Sequence, residues 1–278
     1  ITIKNSPIEI SEPIQIKGDI SSQYLTALLI AGPISNNEFN IEVIGDLISK
    51  PYIDITLKLL TKFNIFYSND NWRLFSLKKD SVYRNPTEIF VEGDASSASY
   101  FFAAASLAGS IEIKGINKDS IQGDLKFLDI ISKMGAKIVF KSDSIQVSKA
   151  TNLKGLDIDC IEIPDAAMTL AIMGVFGCKP TKLKNIGSWR VKETDRILAM
   201  DNELTKMGVE VSTTHDSMTI FPQKQLNNNI SIETYNDHRI AMCFSLFCLK
   251  DLSITIQDPN CVNKTYPDYF KDFKSVIE

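Results

Sequence analysis

A nine-residue segment appears twice in this chain, and its recurrence limits the possible folds more than any other feature. Ile14-Gln15-Ile16-Lys17-Gly18-Asp19-Ile20-Ser21-Ser22 is answered by Ile89-Phe90-Val91-Glu92-Gly93-Asp94-Ala95-Ser96-Ser97, with weaker echoes at Ile161 to Ala167 and Ile232 to Arg239. The anchoring aspartates Asp19, Asp94, Asp165 and Asp237 stand 75, 71 and 72 residues apart. A fixed period means that one supersecondary unit is used again and again. Each copy predicts an alternating apolar strand, an Asp-bearing turn, and a helix of small and apolar residues such as Ser99 to Leu107 or Ala166 to Phe176. A strand such as Ser110 to Gly115 follows, then a second amphipathic helix (Ile53 to Phe63, Leu125 to Met134, Ile197 to Met207), then two short strands such as Lys137 to Lys141 and Ser144 to Ser148. The unit is βαβαββ, and the fold class is α/β, or α+β in some schemes.

The fourth unit reaches Glu278 without its two closing strands, and Ile1 to Glu12 reads as the closing strands of a unit whose beginning is absent. With Ile1 rather than Met at the start, this predicts a chain cut at its front, with an N-terminal part elsewhere that supplies the absent strand.

Bulk properties exclude several function classes. The 278 residues are 44% hydrophobic and 23% charged, enough to bury a sizeable core. A net charge of −4 gives no general field for nucleic acid or an anionic membrane, so an anionic ligand needs a local cluster of cations. The longest apolar runs, Tyr24 to Ile34 and Ala166 to Gly177, fall short of the roughly 20 residues of a membrane span. Cys160, Cys178, Cys243, Cys248 and Cys261 form no Cys-x-x-Cys pair and read as reduced thiols of a cytoplasmic protein. His215 and His238 are the only histidines, which leaves few candidates for a zinc site or a Ser-His-Asp triad.

Candidate chemistry recurs where a strand hands over to a helix. Ser21, Ser22 and Gln23 suit anion or polyol binding at a helix start, or simple capping. Asp94 to Ser97 lacks the glutamine and reads as a cap. Asp165, before an apolar helix, is either an N-cap or a general base. Asn236-Asp237-His238-Arg239 places a guanidinium where a phosphate or carboxylate could sit. Ser49-Lys50-Pro51-Tyr52 and Lys264 belong to the same series, with Pro51 suited to a first helical position. Trp189-Arg190-Val191-Lys192-Glu193-Thr194-Asp195-Arg196 precedes the apolar positions Ile197, Met200, Leu204 and Met207, with Gly208 as a left-handed cap. This spacing predicts the charges in a first helical turn, with Lys192 and Arg196 on one face. Lys192, Arg196, Arg239 and Lys264 then supply cations at equivalent turns, with Asp165 and Glu193 as acid-base candidates. No Gly-rich phosphate loop of the nucleotide-binding type is present.

Trp189 to Arg196, Asn236 to Arg239, Gly93 to Ser97 and Ser21-Ser22-Gln23 resemble the signature segments of the 5-enolpyruvylshikimate-3-phosphate synthase family. That resemblance implies a two-domain enolpyruvyl-transferase fold of three βαβαββ units per domain, incomplete here. Residues 1–91 would be the C-terminal part of the first, upper domain and 92–278 the second, lower domain, without the strand expected from the N-terminus. The implied reaction moves the enolpyruvyl group of phosphoenolpyruvate to the 5-hydroxyl of shikimate 3-phosphate and releases phosphate, in the shikimate pathway of aromatic amino-acid biosynthesis. Carried over by motif, Ser21, Ser22, Gln23, Ser49, Tyr52, Asp165, Ser188 and Lys192 contact shikimate 3-phosphate, and Gln23, Arg196, Arg239 and Lys264 contact phosphoenolpyruvate. Asp165 is the implied base, Glu193 moves a proton at the enolpyruvyl carbon, and His238 lines the site. The family implies no metal, no organic cofactor, no nucleic acid, no membrane, and a cytoplasmic monomer when complete.

Two departures from the family stand out. Ser188 takes the place of an Asn, which shortens one substrate hydrogen bond, replaces it by water or removes it. The family's front third carries a Lys-Ser pair, arginines and a Gly-containing loop that hold both substrates, and it has no counterpart here, so inactivity of the chain alone is expected. The alternatives are a sister enolpyruvyl transferase acting on a UDP-linked amino sugar, which is not expected to carry these two motifs together, and a non-catalytic α/β module that binds anions.

Overall fold

The computed structural model describes residues 10–35 and 37–277. The strands expected within Ile1 to Glu12 lie outside the described residues up to residue 9, and Ile10 to Glu12 form no strand. The chain divides into two compact units, Ile1–Val91 and Glu92–Glu278.

The first unit contains β1 (Ile14–Lys17), α1 (Ser22–Ala31), β2 (Phe39–Ile44), α2 (Lys50–Lys62), β3 (Tyr67–Asp70) and β4 (Leu74–Leu77). Its sheet runs β1-β2-β4-β3, with β1 and β2 parallel from Ile14↔Ile41 to Lys17↔Ile44 and the other pairs antiparallel. Alternation in β2 turns Phe39, Ile41 and Val43 inward, where they meet Leu25 and Leu29 of α1 and Ile53, Leu57 and Leu60 of α2. Because β1 and β2 are parallel, both helices leave from the same end of the sheet. Gly18 allows the two turns to touch there: a Cβ on it would meet Val43 Cγ1 at 2.7 Å and the Asp46 carbonyl oxygen at 2.9 Å.

The second unit begins with α3 (Ala95–Ala108), β5 (Ser110–Lys114), α4 (Phe127–Met134), β6 (Lys137–Phe140) and β7 (Ser144–Ser148), with sheet order β5-β7-β6. The strand expected at Ile89 to Val91 does not form. Phe90 and Val91 are 67% and 83% exposed, so this stretch has no buried face to reward pairing; Gly93 N–H still donates to the Gly115 carbonyl at 2.7 Å.

A complete copy follows: β8 (Asp157–Asp159), α5 (Ala167–Val175), β9 (Thr181–Lys184), α6 (Arg196–Lys206), β10 (Val211–Thr213) and β11 (Met218–Ile220). Its order, β8-β9-β11-β10, repeats that of the first unit's sheet. Its first strand lies a few residues earlier than the echo at Ile161 suggested, and the intervening residues form the turn that carries Asp165. The chain ends with β12 (Ile230–Ile232), α7 (His238–Ser245), β13 (Ile254–Ile256) and α8 (Tyr269–Ile277). β12 and β13 pair in parallel, and closing strands are absent among the described residues, as the repeat predicts.

Helices α3, α5 and α7 explain why these sheets stay outside. Every residue of α5 and α7 is buried, and so is most of α3. Helices apolar on all sides must be covered all round, so they form the centre and the sheets and amphipathic helices form the coat. Each central helix starts at the turn after the first strand position of its copy. The N-terminal ends of α3, α5 and α7 therefore meet, and the charged turns meet with them.

Candidate functional site

The β8–α5 turn delivers Asp165. Helix α5 starts at Ala167 with Ala166 at the cap position, so Asp165 is not a cap and its carboxylate is available elsewhere. Buried Trp189, in the 3-10 helix Gly187–Val191, donates its indole N–H to the Pro164 carbonyl at 2.6 Å and fixes the residue just before Asp165. The β12–α7 turn delivers Asp237, which caps α7 by accepting the Arg239 N–H at 2.9 Å.

Arg196, the first residue of α6, is 1% exposed and sits among three carboxylates. Its Nη1 donates to Asp165 Oδ1 at 2.8 Å, its Nη2 to Glu193 Oε2 at 2.6 Å, and its Nε to Asp237 Oδ2 at 2.7 Å. Arg239 Nη2 donates to Asp165 Oδ2 at 3.0 Å and its Nη1 to the Tyr100 hydroxyl at 3.2 Å, which ties α7 to α5 and α3. Lys264, in the 3-10 helix Pro259–Lys264, donates to Glu193 Oε1. Asp165, Glu193 and Asp237 thus balance Arg196, Arg239 and Lys264. Buried charges of one sign would not tolerate this crowding; paired and hydrogen-bonded, they can.

The network sets the proton affinities around it. Burial works to raise the Glu193 pKa, but the Arg196 guanidinium and the Lys264 hydrogen bond outweigh it and hold the carboxyl at about 2. Burial, aided by the Arg239 charge, pulls His238 down to about 4, so the imidazole is neutral at ordinary pH. Asp124, buried and accepting from the Ser96 hydroxyl, is pushed up to about 6 by burial and then by the charge of Asp165. Burial drives the Tyr100 phenol far above its ordinary range, so it stays protonated.

One local expectation is corrected. The charges of Trp189 to Arg196 do not fill a first helical turn: α6 starts at Arg196, capped by Asp195, whose carboxylate accepts from the Leu198 N–H at 3.1 Å. Lys192 is extended (φ −89°, ψ −150°), so it does not share a helical face with Arg196. Arg190 is absorbed structurally, donating to the His215 and Thr214 carbonyls and to Asp195. Ser188 is half-buried within the 3-10 helix. The Gly208 expectation holds, with φ +82°.

The remaining expected residues line one edge of the first unit. Ser21 caps α1, its hydroxyl accepting from the Gln23 N–H at 3.2 Å, Ser22 is buried, and Gln23 is exposed. Ser49 precedes α2 in the left-handed region (φ 56°), with a buried hydroxyl that has no hydrogen-bond partner among the described residues. Tyr52 is half-buried in the first turn of α2.

Sequence reasoning missed Tyr100 and Asp124 as members of the charged cluster. Asp124 stands just before the amphipathic stretch Leu125 to Met134 and Tyr100 inside the apolar stretch Ser99 to Leu107, and neither position by itself marks a charged site. Asp237 was quoted as part of a motif without a role, yet it is fully buried and holds Arg196. Among the described residues no group of three or more His, Cys, Asp or Glu is arranged to hold a metal ion, and no helix is long and apolar enough to cross a membrane.

The family model described as EPSP synthase (3-phosphoshikimate 1-carboxyvinyltransferase) matches residues 1–273. The 3-phosphoshikimate 1-carboxyvinyltransferase of Aeromonas salmonicida is 49% identical over 95% of this chain and 62% of its own length. That of Haemophilus ducreyi is 47% identical over 99% of this chain and 63% of its own. Among solved structures, EPSP synthase from Acinetobacter baumannii superposes with a TM-score of 0.77 at 23% identity, covering 95% of this chain and 62% of that one. The enolpyruvyl transferase NikO from Streptomyces tendae gives 0.71 at 14% identity, covering 95% and 63%. The chain thus spans about 62% of the length of the relatives it matches. With its motifs, its repeated βαβαββ fold and this match along nearly all its residues, the chain belongs to the EPSP synthase (3-phosphoshikimate 1-carboxyvinyltransferase) family.

Proposed function

We propose that the protein to which this chain belongs transfers the enolpyruvyl group of phosphoenolpyruvate to the 5-hydroxyl of shikimate 3-phosphate. The observation that carries this reading is the convergence of Arg196 and Arg239 on Asp165, with Glu193 on the other side of Arg196. Asp165 takes the 5-hydroxyl proton as that oxygen attacks C2 of phosphoenolpyruvate, and C3 gains a proton delivered through Glu193. The tetrahedral adduct then loses phosphate from C2 and a proton from C3, which restores the double bond. Arg196, Arg239 and Lys264 hold the carboxylate and phosphate of phosphoenolpyruvate and stabilise the charge that develops and departs. Gln23 adds a neutral contact to the same substrate, and Ser21, Ser22, Gln23, Ser49, Tyr52, Asp165, Ser188 and Lys192 hold shikimate 3-phosphate.

Arg196, Arg239 and Lys264 are paired with carboxylates, so anion binding is an exchange. Substrate anions replace Asp165 and Glu193 on the guanidinium groups. Released, Glu193 rises from about 2 toward an ordinary carboxyl pKa and becomes able to carry a proton. Neutral His238 adds no charge that competes with this exchange.

We also read the enzyme as a cytoplasmic monomer, a reading to which the free cysteines lend support, and residues 1–91 and 92–278 as parts of an upper and a lower domain. The decisive experiment measures phosphate release from the two substrates by these 278 residues, alone and joined to the part of a relative that the chain does not match. The chain alone is expected to be inactive and the joined protein active, with Asp165→Asn lowering kcat by about 10²- to 10⁴-fold. Full turnover by the chain alone refutes its dependence on that unmatched part. A joined protein that releases no phosphate from this pair refutes the substrate assignment.

A further inference from the structure

Glu203 is a fully buried carboxylate that the reaction above does not use. It lies on α6, and its oxygens accept from Lys206 Nζ at 2.8 and 2.9 Å, from the Tyr235 hydroxyl at 2.7 Å and from the Glu233 N–H at 3.2 Å. The last two partners belong to the β12–α7 turn, which carries Asp237, His238 and Arg239. Within that turn Tyr235 (φ 55°) and Asn236 (φ 54°) are consecutive left-handed residues, and neither is glycine. Asn tolerates that region, but a bulky Tyr holds it only when the surroundings impose it. The Asp237 N–H closes the turn on the Thr234 carbonyl at 2.8 Å.

Arg196 and Glu203 are seven residues apart on α6, two helical turns and about 10 Å along one face. The helix therefore grips the turn at both ends: Arg196 holds Asp237, and Glu203 holds the Glu233 N–H and the Tyr235 hydroxyl. We propose that Glu203 and Tyr235 are positioning residues for Arg239, forming a latch between α6 and the β12–α7 turn that keeps the strained pair in place and aims the Arg239 guanidinium at Asp165. The latch deepens the reading above and rests on it only for its effect on substrate; the structural part is testable without any substrate.

His238 is the local reporter. It adjoins Arg239 and is faced by Asp237 from its own turn and by Glu193 and Arg196 from the start of α6. The test is an NMR titration of the His238 imidazole in the 278-residue chain, as wild type, Tyr235→Phe and Glu203→Gln. If the latch holds Arg239, cutting it admits water and moves the guanidinium away, so the His238 midpoint rises from about 4. A His238 midpoint unmoved in a folded Tyr235→Phe protein overturns the proposal. That variant keeps its ring and decides the matter even if Glu203→Gln does not fold.

The second readout uses the protein joined to its relatives' remaining part. Tyr235→Phe is expected to raise KM for phosphoenolpyruvate about tenfold, leaving KM for shikimate 3-phosphate unchanged. An equal rise in both, or a loss confined to kcat, overturns the positioning role. A wild-type protein with no phosphate release overturns the proposed function instead, and the His238 shift then judges the latch by itself.

Discussion

The first unit's β1-β2-β4-β3 sheet and the second unit's β8-β9-β11-β10 sheet have the same order, and both send two helices from the end of a parallel pair. Their turns nevertheless present different chemistry. At the β1–α1 and β2–α2 turns the helix starts offer uncharged groups, the Ser21 cap, exposed Gln23 and the buried Ser49 hydroxyl, while the charged residues Asp19, Asp46 and Lys50 are exposed. The β8–α5 and β9–α6 turns, with β12–α7 beside them, offer a buried set of ion pairs around Arg196. The fold decides where a functional side chain stands, and the residue type decides the state in which it waits. Neutral groups at a partly open edge can be left to water. Buried cations cannot be left without counter-charges, so the second unit pairs them with carboxylates.

The sharpest way to break this contrast is to empty the centre of the ionic edge. Arg196→Met leaves Asp165, Glu193 and Asp237 facing one another without their shared cation, and breaking a buried pair from one side costs about 3 to 5 kcal/mol. Urea unfolding should show this loss at neutral pH and a smaller one in acid, where the orphaned carboxylates protonate. A loss below 1 kcal/mol would mean that the network is not held together by its charges. Next in size is Gly18→Ala on the neutral edge, where the added Cβ presses on Val43 and on the Asp46 carbonyl. Here about 1 to 3 kcal/mol of overpacking cost is expected, with no pH dependence between pH 5 and 8. A pH-dependent loss would show that the added Cβ disturbs a charged group such as Asp46 and not packing alone.

How far the sequence could be read follows the same division. The repeat, the order of elements, the two central apolar helices Ser99 to Leu107 and Ala166 to Phe176, the caps of α1 and α3, and left-handed Gly208 after α6 depend on local period and on residues next to each other, and these were legible. The strand at Ile89 to Val91 was not, because a strand needs a partner and a buried face that its own residues do not specify. The start of α6 was misplaced because the charged octet and the helix share a 3.6-residue rhythm, whereas the Asp195 cap alone sets the boundary. Among the candidate site residues, Asp165, Arg196, Arg239 and Lys264 were singled out in the sequence, and the structure brings them into one cluster with Glu193. That Arg196 would be closed in by three carboxylates was not legible, since Asp165 lies 31 residues and Asp237 41 residues away along the chain. Tyr100 is 139 residues from Arg239, and nothing in an apolar helix announces such a contact.

Smaller effects sharpen the comparison. Ser49→Gly removes a side chain from a left-handed position and deletes a buried hydroxyl that lacks a partner among the described residues. The neutral edge should gain about 0.5 to 1 kcal/mol. Under the proposed function the same change weakens shikimate 3-phosphate binding, a stability gain at the expense of a ligand contact. If Ser49→Gly instead destabilises, the hydroxyl is contributing to the fold and its strain has another cause.

The smallest effect belongs to the outermost ion pair. Lys264 is more than half exposed, so its bond to Glu193 contributes only about 0 to 1 kcal/mol, and Lys264→Met should scarcely move the unfolding midpoint at neutral pH. Its mark is on titration. Glu193 has a depressed folded-state pKa, so its pairing stabilises the fold above the ordinary carboxyl range, and that stability is lost as pH falls through about 2. Without Lys264, Arg196 alone opposes burial, the Glu193 pKa rises, and the acid loss is smaller and complete at higher pH. Wild type and variant should therefore differ slightly above pH 4.5 and converge once both are protonated, near pH 2. A Glu193 carboxyl resonance that titrates identically in the two proteins would show that Arg196 by itself sets this group, and that the ionic edge ends at its buried core.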